Sequence, residues 1–179
     1  MDLHLKKLPR NEYKYHELHY VYSSDEHYVP VTCSEKDEFY FGFKRETLPQ
    51  TYHHDSYDTL YDSVWRGCTA YGVFDDNGIS AGYLEIAREE WNDRLRITNL
   101  LVRQDCRRTG IGTFLINEAK KIAQKEDRRI IVLETQSCNV PAIDFYLKNG
   151  FVFGGTNLYF YSNHDTEYDE VMIEMVLLY

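Results

Sequence analysis

The stretch that most constrains this chain is Arg107-Arg108-Thr109-Gly110-Ile111-Gly112, because the residues on its two sides dictate different secondary structures. Upstream, Leu95-Arg96-Ile97-Thr98-Asn99-Leu100-Leu101-Val102 is rich in apolar and β-branched residues and reads as a strand. Downstream, Ile111, Phe114, Leu115, Ile122 and Ala123 recur at helical spacing, leaving Glu118, Lys120, Lys121 and Lys125 for a solvent face. A loop that turns a strand into a helix can bring its N–H groups and the positive end of the helix onto one anion. Two glycines let the backbone come close, and the preceding arginines add charge-assisted contacts, so the diphosphate of a nucleotide-like ligand is the natural match. Taken alone, the hexapeptide is equally readable as a helix start that happens to contain Gly and Arg.

Two common nucleotide motifs fail here. Gly110-Ile111-Gly112-Thr113-Phe114-Leu115 lacks the third glycine of G-x-G-x-x-G, and Arg103-Gln104-Asp105-Cys106-Arg107 separates it from the strand that should turn directly into it. No G-K-[ST] follows, which excludes a P-loop.

Around the loop, the spacing predicts strands over residues 69–74 and 81–87, joined by the turn Asp75-Asp76-Asn77-Gly78, and a further turn at Trp91-Asn92-Asp93. The run Arg129-Ile130-Ile131-Val132-Leu133-Glu134 suits a strand buried on both faces, which implies a parallel strand–helix–strand unit. Asn139 can cap a helix with Pro141 in its first turn and an end marked by Asn149-Gly150. Residues 151–161 and 170–178 read as a last hairpin around a polar loop. Residues 13–65, crowded with Tyr, His, Asp and Glu, show no clean period. A length of 179 residues with no repeat or linker suits one domain, 1–179, with a change of texture near residue 66.

A formal charge of −9 repels polyanions, so nucleic acid is not an expected partner, and it mildly favours a cationic small ligand. No apolar run reaches the ~20 residues of a membrane span, and Met1-Asp2-Leu3-His4-Leu5-Lys6-Lys7 lacks the apolar stretch of a secretory signal, so the expected address is the cytoplasm, off the membrane. Cys33, Cys68, Cys106 and Cys138 have no paired spacing and read as free thiols. His16-x-x-His19 and His53-His54 lack a third ligand at a telling distance, so no metal is expected. The aromatics Tyr13, Tyr15, Tyr20, Tyr22, Tyr28, Phe39, Tyr40, Phe41 and Phe43 can wall a pocket or cover a sheet. Asp55, Asp58 and Asp62, near Tyr57 and Tyr61, suit either attraction of a polyamine-like ligand or a solvated acidic helix face.

The chain resembles the GNAT acetyltransferase superfamily. Arg107 to Gly112 matches its [RQ]-x-x-G-x-[GA] signature, and Asn139-Val140-Pro141-Ala142-Ile143-Asp144-Phe145-Tyr146-Leu147-Lys148-Asn149-Gly150-Phe151 matches its N-x-x-A-x-x-[FL]-Y-x-x-x-G-F segment. Within it, Leu133-Glu134-Thr135-Gln136, Asn139-Val140-Pro141-Ala142, Gly154-Gly155 and Trp91-Asn92-Asp93 look like streptothricin acetyltransferases. The resemblance implies an α/β (α+β) GNAT fold: a mixed central sheet of six to seven strands with flanking helices. It implies a cofactor-binding core over 67–179 and a variable, acceptor-side part over 1–66.

It also implies acetyl-CoA as acetyl donor, a small-molecule amine as acceptor, and a homodimer through terminal strands, although nothing in the chain itself encodes an oligomer. Backbone N–H groups of Arg107, Arg108, Thr109, Gly110, Ile111, Gly112 and Thr113 would hold the pyrophosphate. Main-chain groups of Leu100, Leu101 and Val102, in a run that breaks simple alternation, would pair with the pantetheine as an added strand. Asn139 would bind the pantetheine arm, cap its helix, or both. Tyr146, seven residues on and so on the same helical face, would protonate the departing thiolate or simply pack. For the base that frees the amine, Glu85 shares a strand face with Ala81 and Tyr83; the alternatives are a solvent-facing Glu85, Glu134, or loss of the proton to water.

Overall fold

In chain order, the described residues form β1 (Leu5–Leu8), α1 (Arg10–Tyr13), β2 (Glu17–Glu35), β3 (Glu38–Thr59), β4 (Thr69–Phe74), β5 (Ser80–Glu89), β6 (Arg94–Val102), α2 (Ile111–Lys125), β7 (Ile130–Gln136), α3 (Val140–Lys148), β8 (Val152–Asn157) and β9 (Met172–Leu177). This structure is a computed structural model that describes residues 3–61, 65, 67–75 and 77–179. Asp62 of the acidic group, position 66, Asp76 of the expected turn and the first two residues of the N-terminal pattern lie outside the described residues. A seven-stranded mixed sheet has the order β1-β4-β5-β6-β7-β9-β8, and β2 pairs with β3 in a separate two-stranded sheet. The expected sheet and its helices are present.

Residues 13–65 differ from expectation. Most of them belong to β2 and β3, two of the longest elements in the chain. The period was hidden because β3 has no buried residue anywhere along its length, so neither face had to be apolar. Asp55 and Asp58 belong to this strand, not to an acidic helix face: Asp55 Oδ1 is 2.7 Å from His19 Nε2, and Asp58 Oδ1 accepts from the Thr59 N–H at 2.6 Å.

Two compact units interleave along the chain. The first comprises Met1–Val21, Asp55–Leu133 and Val176–Tyr179. Here β1, β4, β5 and β6 pair antiparallel in succession, and β6 pairs parallel with β7 from Arg94↔Ile130 to Arg96↔Val132. The helix α2 turns Ile111, Leu115, Ile116, Ala119 and Ala123 inward. It lies close over β5: a Cβ on Gly82 would stand 3.0 Å from the Leu101 carbonyl oxygen, 3.1 Å from Ile111 Cγ2 and 3.3 Å from Leu115 Cδ1. A further apolar cluster gathers Leu8, Leu18, Leu60, Tyr61, Cys68, Ala70 and Ala87. Tyr61 fastens it with one hydroxyl, which donates to the Leu8 carbonyl at 2.5 Å and accepts from the Ala70 N–H at 3.0 Å.

The second unit comprises Tyr22–His54 and Glu134–Met175. Its helix α3 begins as the sequence indicates, with the Asn139 side chain accepting from Ala142 N–H at 3.2 Å and Pro141 in the first turn. It stops where Asn149 Nδ2 caps the Phe145 carbonyl at 2.8 Å and Gly150 takes a left-handed φ of 91°. Fully buried Ser137 links Glu134–Met175 internally: its hydroxyl donates to Asp169 O at 2.7 Å and accepts from Val171 N–H at 3.1 Å.

Candidate functional site

In the first unit the end of β6 passes through a 3-10 turn, Gln104–Cys106, before α2. Arg108 and Gly110 both take left-handed conformations, with φ of 61° and 92°, the kind of backbone alternation that can turn N–H groups toward one side of a loop. Holding a non-glycine residue such as Arg108 there costs about 1–2 kcal/mol, which the surrounding turn must offset. The Thr109 hydroxyl closes that turn on the Cys106 carbonyl at 2.6 Å. Gly110 is the N-cap, and the N–H groups of the first turn beyond it have no intrahelical acceptor. A Cβ on Gly110 would meet nothing within 4 Å, so the space beside this residue is open. These features fit a diphosphate.

The Arg107 side chain goes elsewhere. Its Nη2 donates to the Val21 carbonyl at 2.9 Å and its Nε to the Val102 carbonyl at 3.3 Å, and burial lowers its pKa. Its own N–H donates to Gln104 O at 3.3 Å, inside the loop. Arg107 thereby ties the start of β2 to the end of β6.

Leu101, Val102 and Arg107 line a cavity of about 370 Å³ together with His16, Glu17, His19, Tyr83 and Arg103. His16 Nε2 lies 2.7 Å from the Tyr83 hydroxyl. Arg103 spans Asp105 at 2.6 Å and Asp75 at 3.0 Å, and these two hydrogen bonds raise its pKa.

Glu85 is buried, 2% exposed, and is not a solvent-facing strand residue. Its Oε1 accepts from the Tyr61 N–H at 2.6 Å; its Oε2 accepts from the Thr98 hydroxyl at 2.8 Å and from Asn99 Nδ2 at 3.0 Å. The register explains the convergence. Glu85 pairs with Asn99 and Ile86 with Ile97, so Thr98 is an extra residue and β6 bulges there. The run Leu100-Leu101-Val102 lies just past this bulge and continues to pair with β5.

In the second unit Tyr146 is buried on α3, its ring 5.4 Å from that of Phe145 and 5.7 Å from that of Phe151. Burial pushes its phenol up to about 12. Its proton is therefore firmly held at neutral pH, as a general acid requires before it acts. Glu134 accepts from the Tyr161 hydroxyl at 2.9 Å.

Sequence reasoning missed a set of side chains that this unit brings together. The Tyr22 ring stacks on His54 at 4.7 Å, the Tyr22 hydroxyl donates to Gln136 Oε1 at 3.2 Å, and the Tyr52 hydroxyl donates to Glu170 Oε1 at 2.9 Å. Burial raises the pKa of both phenols. These pairs are far apart in sequence, and no local pattern announced them. The N-terminal aromatics have mixed fates: Tyr13 and Tyr20 pack on the apolar cluster, Phe43 meets Tyr28, Phe41 and Phe153, and Phe39 is 85% exposed. Among the described residues, no group of three or more His, Cys, Asp or Glu is placed to hold a metal, and no helix is long and apolar enough to cross a membrane.

Residues 33–151 match the model of the acetyltransferase (GNAT) family. A streptothricin acetyltransferase of Escherichia coli is 35% identical over 120 residues, 67% of each chain. Streptothricin acetyltransferase A of Bacillus subtilis (strain 168) is 32% identical over 115 residues, 64% of this chain and 65% of that one, so the match spans just under two thirds of this relative's length. In fold, the chain superposes on a Bacillus anthracis str. Ames acetyltransferase solved in complex with acetyl coenzyme A, with a TM-score of 0.75 at 24% identity over 100% of this chain and 98% of the other.

Proposed function

Because this chain belongs to the acetyltransferase (GNAT) family, we propose that it transfers the acetyl group of acetyl-CoA to a primary amine of a small, cationic, streptothricin-like molecule, with residues 1–179 acting as one catalytic domain. The loop at the start of α2 carries the reading: Arg108 and Gly110 take left-handed conformations there, and a Cβ on Gly110 would meet nothing within 4 Å. The names of the Escherichia coli and Bacillus subtilis relatives support the acceptor class.

In this reading the N–H groups from Arg108 to Thr113 hold the pyrophosphate, with Arg107 fixing the loop. Leu100, Leu101 and Val102 hold the pantetheine through their main chain, and Asn139 assists while capping α3. Acetyl-CoA supplies an acyl group on a good leaving thiolate. Tyr146, whose burial keeps its proton in place at neutral pH, donates that proton to the departing sulfur. The amine must be neutral to attack, because an ammonium has no lone pair. Glu85 serves as a buried negative charge acting through Thr98 and Asn99, since both its oxygens already accept hydrogen bonds; the amine's proton leaves through water.

The test is release of coenzyme A thiol from acetyl-CoA in the presence of streptothricin, spermidine or a peptide with a free N-terminus. Turnover with streptothricin above the others is expected. Preference for spermidine or the peptide would reassign the acceptor, and tight acetyl-CoA binding without turnover on any amine would point to a regulatory module.

A further inference from the structure

We infer that Tyr83 and His16 form the relay that takes the proton from the acceptor's amine, at the cavity beside Leu101 and Val102; this rests on the proposed function. Glu85 does not serve as that first proton acceptor, because taking a proton would displace one of the three donors its oxygens already hold. The cavity of about 370 Å³ offers another group. Leu101 and Val102, assigned to the acetyl donor, line it together with Tyr83 and His16. Tyr83 pairs directly with Leu101 across the sheet, so its side chain leaves β5 at the level of the donor segment. The Tyr83 hydroxyl lies 2.7 Å from His16 Nε2. Tyr83 is half-buried and His16 exposed, so the pair runs from the cavity wall to solvent.

The fold holds the imidazole in place although it is exposed. Tyr15 N–H donates to the Leu60 carbonyl and Leu60 N–H to the His16 carbonyl, both at 3.0 Å, and Leu60 itself is fully buried. Tyr15 takes a left-handed φ of 66°, uncommon for a bulky residue, and so turns the chain into His16. The His16 ring packs against both Tyr13 and Tyr83, with centroids 5.7 and 5.1 Å away. Elsewhere on the cavity, Arg103 and Arg107 have no lone pair to take a proton, and His19 Nε2 is held by Asp55 at 2.7 Å. Glu17 adds a negative charge that draws a cationic amine. With the His16 proton on Nδ1, the ammonium passes a proton to the Tyr83 oxygen as the phenol's own proton moves to Nε2, which regenerates the phenol and leaves an imidazolium. The neutral amine then forms the C–N bond as the C–S bond of acetyl-CoA breaks. The nitrogen's second proton balances the one given to sulfur, and His16 releases the first to solvent. In the sequence His16 stood out only as half of His16-x-x-His19, because Tyr83 lies 67 positions away.

The experiment measures kcat on whichever amine the unaltered chain acetylates, for that chain, Tyr83→Phe, His16→Ala and the double variant, with acetyl-CoA affinity by calorimetry. Tyr83→Phe keeps the ring that packs on the apolar cluster, and His16 is exposed, so both variants should fold. Loss of a proton relay predicts a fall in kcat of roughly 100-fold or more in each, with acetyl-CoA affinity within about twofold of the parent. The two losses should overlap in the double variant, because the groups act as one unit. Added imidazole should restore activity to His16→Ala and not to the double variant, a result that a merely structural His16 would not give. Unchanged kcat in Tyr83→Phe, a His16→Ala loss that imidazole leaves in place, or effects that simply multiply in the double variant would overturn the relay. Absence of turnover by the unaltered chain on any amine would instead refute the proposed function, and the inference with it.

Discussion

Gly110→Ala separates the two demands placed on the loop at the start of α2. The residue holds φ at 92°, and an added Cβ would meet no protein atom within 4 Å. The folded protein thus has room for the methyl group, and the cost to stability is conformational, about 1–2 kcal/mol for a left-handed residue with a side chain. In the proposed reading the added methyl competes with the bound pyrophosphate for the open space at the helix start. Displacing the anion enough to lose one charge-assisted hydrogen bond costs about 1.5–3 kcal/mol, or roughly 10- to 150-fold in affinity for acetyl-CoA. Calorimetric titration with acetyl-CoA reads the second effect and urea unfolding the first. Gly82→Ala is the control: its Cβ would crowd the Leu101 carbonyl at 3.0 Å, so it should lose about 1–3 kcal/mol of stability through overpacking. If folded Gly110→Ala binds acetyl-CoA within twofold of the parent, the loop does not hold the pyrophosphate.

Tyr146→Phe should lower kcat about 100-fold or more while leaving acetyl-CoA affinity intact, since it removes a proton and keeps the ring. In a spectroscopic pH titration of tyrosinate, the same variant should lack a late step near 12, and a difference appearing near 10 would contradict the buried state of the phenol. The sign is that of a raised pKa: the phenol's contribution to stability is complete below about 10 and is lost as pH climbs through about 12. Tyr61→Phe strips the group that donates to Leu8 and leaves the Ala70 N–H buried and unpaired, so chemical unfolding should register a loss of about 1–3 kcal/mol. Glu89 resists burial's upward push because Arg96 at 2.5 Å and Arg94 at 2.6 Å outweigh it, leaving its pKa below the usual carboxylate range. Its contribution is present above the ordinary Glu pKa and vanishes as pH falls through the lowered one, so Glu89→Gln should flatten the acid limb of a stability–pH curve. An equally steep limb would rule this out.

The legible parts of the fold were those in which a local pattern had one consequence. The 3.6-residue spacing from Ile111 to Ala123 has one apolar face and became α2, although Ile116 and Ala119 proved as deeply buried as the residues that set the pattern. The β-branched run after Arg129 became β7, and Asn139 capped α3. The ribbon of β2 and β3 escaped notice because alternation is imposed by burial on one side, and β3 has no buried residue. Glu85 was legible as a strand carboxylate on a chosen face, but its three donors come from residues up to 24 positions away, through a bulge that no single-strand pattern reveals.

The amino-acid sequence alone determined the strand–loop–helix order around Arg107 to Gly112, the caps, the net charge and the family, because each follows from neighbours in the chain or from a short motif. Tertiary structure alone decided that Arg107 would bind the Val21 and Val102 carbonyls, that Thr98 would be the bulged residue, and that Tyr20 would meet Asn99 above Glu85. The physical reason is that hydrogen-bond direction and burial belong to pairs of residues. A pair separated by 79 positions acquires its chemistry only when the strands that carry it come into register.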